Sequence, residues 1–292
     1  MSSSPRRNAA TLCGLGAVAL WSSMALLTTM AGNVPPFALT ALAFALASAI
    51  GLLRCIASPA ARAALRQPPR VWIAGVGGLF GFHAFYFAAL GLAPPAPAML
   101  VCNTWPLVIV VGSDLMERGR PAATTLLGGA VAFGGIALLS APGAGISMGD
   151  LPGLACALGA SISWGAYSLA SARMGEVPTD SVTGFCLATA ALSALAHVLF
   201  EAPAMPRGAV EWLVVAALGI GPVGAAFFLW DRGMKAGDVR LLGFASFAIP
   251  VLSTLLLVLA GRAEAGLPLA VACAMVAAGA AIARLRPSRA SR

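Results

Sequence analysis

Apolar residues in this chain come in runs of about twenty, cut by proline, glycine and charge, and that length is what a helix needs to cross the hydrocarbon core of a bilayer. Five runs lie at about 9–30, 36–56, 71–92, 96–116 and 123–140, and five more at 152–173, 180–200, 211–233, 240–260 and 266–284. They predict an all-α integral membrane fold of ten transmembrane helices. Apolar residues make up 60% of the chain and charged residues 10%, too few to cover the surface of a soluble protein of this size. A separate soluble catalytic domain has no room. The first run is longer than the apolar region of a signal peptide and is read as a retained helix.

The basic residues test that helix count independently. With the N-terminus in the cytoplasm and alternating connections, the inner segments hold Arg6, Arg7, Arg54, Arg62, Arg66, Arg70, Arg118, Arg120, Arg173, Arg232, Lys235, Arg240, Arg284, Arg286, Arg289 and Arg292. The outer segments hold only Arg207 and Arg262. Sixteen against two is the bias that sets orientation in a membrane, so both termini are expected in the cytoplasm. The net charge of +8 is therefore a topology signal, and no stripe of Lys and Arg suits nucleic acid. The six cysteines fall inside apolar runs with no CxxC pair, which argues against a disulfide framework and against a cysteine metal site.

The halves match each other. Trp164 in SISWGAY follows Trp21 in VALWSSM by 143 residues; Pro250 follows Pro106, Trp230 follows Tyr86 and Gly279 follows Gly135, each by 144. The expected units are residues 1–145 (helices 1–5) and 146–292 (helices 6–10). Because each holds an odd number of helices, the second copy must be inverted, the architecture of secondary transporters with a midplane site at the repeat interface.

This layout resembles the drug/metabolite transporter superfamily in its ten-helix form with two EamA-type repeats, and within it the chain is most similar to the exporters of aromatic amino acids. The resemblance covers about residues 9–284. It is carried by Trp21, the run 85–91 (FYFAALG), Asn103-Thr104-Trp105-Pro106, Trp164-Gly165-Ala166-Tyr167, Gly237-Asp238-Val239-Arg240-Leu241-Leu242 and the run 246–253 (SFAIPVLS). It implies a core of helices 1, 3, 4, 6, 8 and 9, with 5 and 10 as scaffold.

Intramembrane ionisable groups are costly and usually functional, and no Asp, Glu, Lys or Arg falls near the centre of any run. Asp114, Asp231 and Lys235 are expected at the inner interface, snorkelling and ion-paired, or else in an inner gate. His83 lies near mid-depth with Tyr86 one turn on, as packing or as a substrate contact; His197 reads as structural. Trp72 and Trp212 fit interfacial anchors, whereas Trp21, Trp105 and Trp164 lie near mid-depth, and Trp230 is a further candidate. Trp21 and Trp164, the symmetric pair, are expected to wall a cavity. Asn103, Ser168 and Ser246 supply either polar contacts to substrate or bonds between helices. Pro106, Pro222 and Pro250 sit at helix centres, where each removes a backbone donor, and are read as hinges. The Gly-rich run 75–81 and the glycines of 128–135 permit close helix contact.

These features predict a multi-pass secondary transporter of the bacterial-type inner membrane, exporting small organic solutes by alternating access. Aromatic and other neutral amino acids fit an aromatic cavity with no fixed charge, in which rings stack and an ammonium gains cation–π attraction of about 0.5–2 kcal/mol. Other metabolites or drug-like cations remain open as substrates, and a channel as another class. An intramembrane enzyme would need a nucleophile–base pair or metal ligands at depth, and the chain offers neither. No catalytic residue, metal or cofactor is expected. The partners are a small-molecule substrate and membrane lipid; the oligomeric state stays open, a monomer included.

Overall fold

The computed structural model describes residues 5–140 and 147–285. Arg286, Arg289, Arg292 and the expected boundary at residues 145 and 146 lie outside the described residues. The described chain is built of helices, because in lipid each backbone N–H and C=O must be satisfied within its own segment. Its apolar segments are α1 (Pro5–Thr29), α2 (Pro36–Ala57), α3 (Pro69–Leu92), α4 (Pro95–Arg118), α5 (Ala123–Ser140), α6 (Met148–Arg173), α7 (Thr179–Phe200), α8 (Ala209–Ala236), α9 (Val239–Ser246 with Ala248–Leu259) and α10 (Leu267–Arg284). Among the described residues eight are long and apolar enough to span a membrane, and a ninth results if the two pieces of α9, bent by 41°, form one span. The apolar stretch of α5, Ala123–Leu139, falls just short by length. Each expected run coincides with one segment. Only the short helix Pro59–Ala64, capped by the Ser58 hydroxyl, carries no apolar run and went unforeseen.

Proline starts α2, α3 and α4 at the first turn, where its missing N–H costs nothing. Gly119 ends α4 in the left-handed conformation (φ 72°) that glycine adopts without a Cβ penalty.

The strongest packing pairs are α5 with α10, α3 with α6, α2 with α7, and α1 with α8. Exchanging each helix n with n + 5 maps this set onto itself: α1–α8 becomes α6–α3, and the other two pairs are their own images. At the α5–α10 seam, Gly128 and Gly279 each face the other's carbonyl, so a Cβ on either would collide with backbone. The glycines of 128–135 are thus packing positions.

Ion pairs tie several helix ends into one layer. Arg7 at the start of α1 bonds Asp238 before α9 (2.9 Å), and Arg54 near the end of α2 bonds Asp180 at the start of α7 (2.8 Å). Near the end of α8, Asp231 bonds Lys235 and reaches Ser171 of α6 and Thr179. Arg240 of α9 lies 3.9 Å from Asp114 of α4 and bonds the Ala283 carbonyl of α10. These links put Arg7, Arg54, Lys235 and Arg240 at the same end of the bundle. At the other end Glu201 accepts from the Phe37 and Ala38 amides that open α2, with the His197 imidazole alongside at 2.8 Å, so His197 is structural.

Two expectations are corrected here. Asp114 and Asp231 do not snorkel: they are 0% and 1% exposed. A carboxylate this deep persists only with counter-charge and donors at hand. Lys235 and Arg118 stand on the same helices as Asp231 and Asp114, but Ser171, Thr179 and Arg240 come from other helices, beyond the reach of a local reading.

Candidate functional site

α1, α4, α6 and α8 each contribute one tryptophan to a single cluster. Trp21, Trp105, Trp164 and Trp230 are all buried, with ring centroids between 5.1 and 6.5 Å for the six pairs. Such separations belong to rings in direct contact, most of them edge to face, and leave no space for a third ring between them. Phe227 of α8 packs on Trp21 and Trp164. Phe44 of α2 bridges from Phe227 to His83.

The helix breaks feed this cluster. α4 stops at Cys102, turns through Asn103 and Thr104, and restarts at Trp105, since Pro106 has no N–H to continue the ladder. α9 breaks at Phe247, 144 residues later, ahead of Pro250. In α8 the stretch Gly221–Ala225 widens into a π-turn around Pro222, a local form that recurs at functional sites. The Trp21 indole N–H donates to the Pro222 carbonyl (2.9 Å), so α1 satisfies a carbonyl of that turn. All three prolines thus mark irregular backbone, and other helices bond beside it: the Thr104 hydroxyl meets the Ser161 hydroxyl of α6 at 2.7 Å, and Ser253, one turn after Pro250, donates to the Ser22 carbonyl beside the interruption of α1 at Ser23.

The indole N–H of Trp230 donates to the Ser168 hydroxyl (3.0 Å), which fixes α8 against α6. His83 is buried, and its Nδ1 lies 2.7 Å from the Leu79 carbonyl. A carbonyl only accepts, so Nδ1 carries the proton and, in the neutral ring, Nε2 keeps a lone pair. Phe44, Phe82 and Phe87 surround the imidazole. Tyr86 stacks on Phe82, which reaches Trp164, so α3 joins the cluster through its aromatic face. Phe82, Tyr86 and Phe87 are partly exposed and form its accessible edge.

Of the expected site residues, Trp21, Trp164, Trp230, His83, Tyr86 and Ser168 come together in this way, with Trp105. Asn103 lies half-buried in the α4 break. Ser246 is buried one residue before the α9 break and donates to the Leu242 carbonyl of its own helix. Phe227, Phe44 and the Thr104–Ser161 contact were missed. Phe227 stands one turn from Trp230 on the same face, a signal present in the sequence; Phe44 carries none. A groove of about 510 Å³ between α4 and α6, lined by Gly112, Met116, Leu169 and Arg173 among others, includes none of the clustered rings.

The chain matches known proteins over nearly its full length. The model of the EamA-like transporter family fits residues 8–141 and again residues 151–285. The aromatic amino acid exporter YddG of Ancylobacter novellus is 53% identical over 289 residues, 97% of this chain and 99% of that protein. A solved crystal structure superposes with a TM-score of 0.89 at 51% identity, covering 96% of this chain and 97% of the other.

Proposed function

Because the chain belongs to the EamA-like transporter family, we propose that it exports aromatic amino acids across the inner membrane by alternating access, with the four-tryptophan cluster as the substrate site. The observation that carries this reading is the cluster itself: a wall of indoles free of fixed charge, where the helix breaks converge. A neutral zwitterion with an aromatic side chain stacks on such rings, and its ammonium gains cation–π attraction. A polyanion finds no Lys or Arg there to neutralise it.

Since the rings touch, substrate binding requires them to part. The substrate ring enters along Phe82, Tyr86 and Phe87 and lies against Trp21, Trp105, Trp164 and Trp230. His83 offers the Nε2 lone pair to the ammonium, and Asn103 a polar contact at the α4 break. Ser168 acts through Trp230, and Ser246 keeps an acceptor lone pair beside the α9 break. Pro106, Pro222 and Pro250 are the hinges about which the half-helices turn. A monomer holds the whole site.

All ten segments cross the membrane as two inverted five-helix repeats, residues 1–145 and 146–292, with both termini in the cytoplasm. Three observations support this: one family model matching twice, a packing pattern that returns under n to n + 5, and helix breaks 144 residues apart. Counterflow of labelled Phe, Trp, Thr and a drug-like organic cation in proteoliposomes tests the reading. Saturable exchange of Phe and Trp is expected; exchange confined to the cation overturns the substrate assignment, and flux that never saturates points to a channel.

A further inference from the structure

We infer that Asp231 is a positioning residue of the transport cycle: it latches α6, α8 and the segment 174–181 together at the basic end while the cluster is closed, and must release them for that end to open. This rests on the alternating-access reading above.

The carboxylate of Asp231 is spent entirely on neighbours. Its Oδ1 accepts from the Ser171 hydroxyl of α6 (2.8 Å), and its Oδ2 from the Thr179 hydroxyl (2.7 Å) and the Lys235 ammonium (2.7 Å). Lys235 also donates to the Val177 carbonyl (2.8 Å). Four bonds therefore join three pieces of chain, 52 to 60 residues apart in sequence for the Asp231 contacts outside its own helix. A buried ion pair is a poor source of stability, because desolvation offsets the attraction and an apolar pair of like size does as well. A pair near a helix end also has the option of reaching water. What this arrangement supplies is geometry: α6 and α8 cannot separate there without breaking charge-assisted bonds.

Two further features tie the latch to the transport site. Trp230 immediately precedes Asp231, and Ser168 lies one turn before Ser171, so Trp230–Ser168 and Asp231–Ser171 are adjacent rungs between the same two helices. Parting the lower rung lifts the indole of the upper one. Beside Ser168, the Tyr167 hydroxyl is buried with no hydrogen-bond partner. Such a group costs the closed state free energy and gains a partner only when the helices rearrange.

The test uses the full chain in a cysteine-free background with Met234→Cys, a buried position one turn beyond Trp230. An impermeant maleimide is applied to inside-out vesicles. Asp231→Asn strands the Lys235 ammonium and is expected to raise the alkylation rate at least about fivefold, which corresponds to about 1 kcal/mol against the closed state. Asp231→Asn with Lys235→Met strands no charge but still lacks the charge-assisted bonds, so the rate is expected to stay at least about twofold above the parent; a return to the parent rate would trace the single-variant effect to the stranded ammonium and overturn the latch. A control cysteine at Ala272, buried on α10, is expected to stay unlabelled throughout. For uptake from the basic side, Asp231→Asn should lower the half-saturating substrate concentration and the maximal rate together. Should that variant fail to insert, Ser171→Ala and Thr179→Ala each delete one hydrogen bond to the carboxylate, strand no charged group without its counter-ion, and should still raise labelling at Met234→Cys. Unchanged labelling in all these variants overturns the latch, as does a rise at Ala272→Cys of equal size, which would mean general loosening. If labelling behaves as expected but no aromatic amino acid moves, the substrate assignment fails and the latch stands.

Discussion

Replacing Trp21 by phenylalanine removes one atom group that matters and little else. The ring stays aromatic and keeps its place among Trp105, Trp164, Phe227 and Trp230, whose centroids lie 5.1–6.5 Å away. The indole N–H disappears, and with it the partner of the Pro222 carbonyl at the π-turn of α8. A buried acceptor left without a donor costs about 1–3 kcal/mol. That is a change of roughly 5- to 150-fold in the balance between conformations that do and do not make the bond. Trp21→Phe is therefore expected to insert and fold, to melt a few degrees lower, and to lose at least about fivefold in counterflow at saturating substrate, the lower limit of that range. Trp21→Ala adds the cost of an empty indole volume, about 3–5 kcal/mol, and is expected to combine lost transport with a large drop in melting temperature. Trp212→Phe, at a half-exposed position on α8, is the control and should match wild type. Purified protein in detergent gives the melting temperature and proteoliposomes the counterflow. Wild-type behaviour of Trp21→Phe in both assays would refute the claim that α1 holds the π-turn in place.

Other outcomes follow from the same geometry. His83→Ala should weaken counterflow, while His83→Gln, which keeps a polar group beside Leu79, should retain more activity; unchanged rates in both remove His83 from the site. Gly279→Val should lower the melting temperature without changing the half-saturating substrate concentration, because its side chain meets the Gly128 backbone at the α5–α10 seam, far from the rings. Arg66→Cys should resist impermeant thiol reagents applied to intact cells; labelling there would reverse the assigned orientation.

Much of the architecture was legible in one dimension because hydropathy is a local sum. A run such as 71–92 forms a helix whatever its neighbours are, and lipid accepts nothing else of that length. Sidedness has the same character, since Arg54 and Lys235 are read where they stand. The proline positions also announced irregular backbone, because a missing N–H is a property of the residue. What no local sum carries is which faces meet. Trp21 and Trp230 are 209 residues apart, and nothing at either position says that their rings touch. Phe44 looks like any other apolar residue of its run, yet it joins His83 to Phe227. Asp231 read as an interfacial charge because its depth was judged along one helix alone. Its burial depends on Ser171 and Thr179, donors that arrive only when α6 and α7 pack against α8. Helix formation is settled within each segment by the solvent, whereas the cluster, the π-turn contact and the latch arise from surfaces brought together across the bundle.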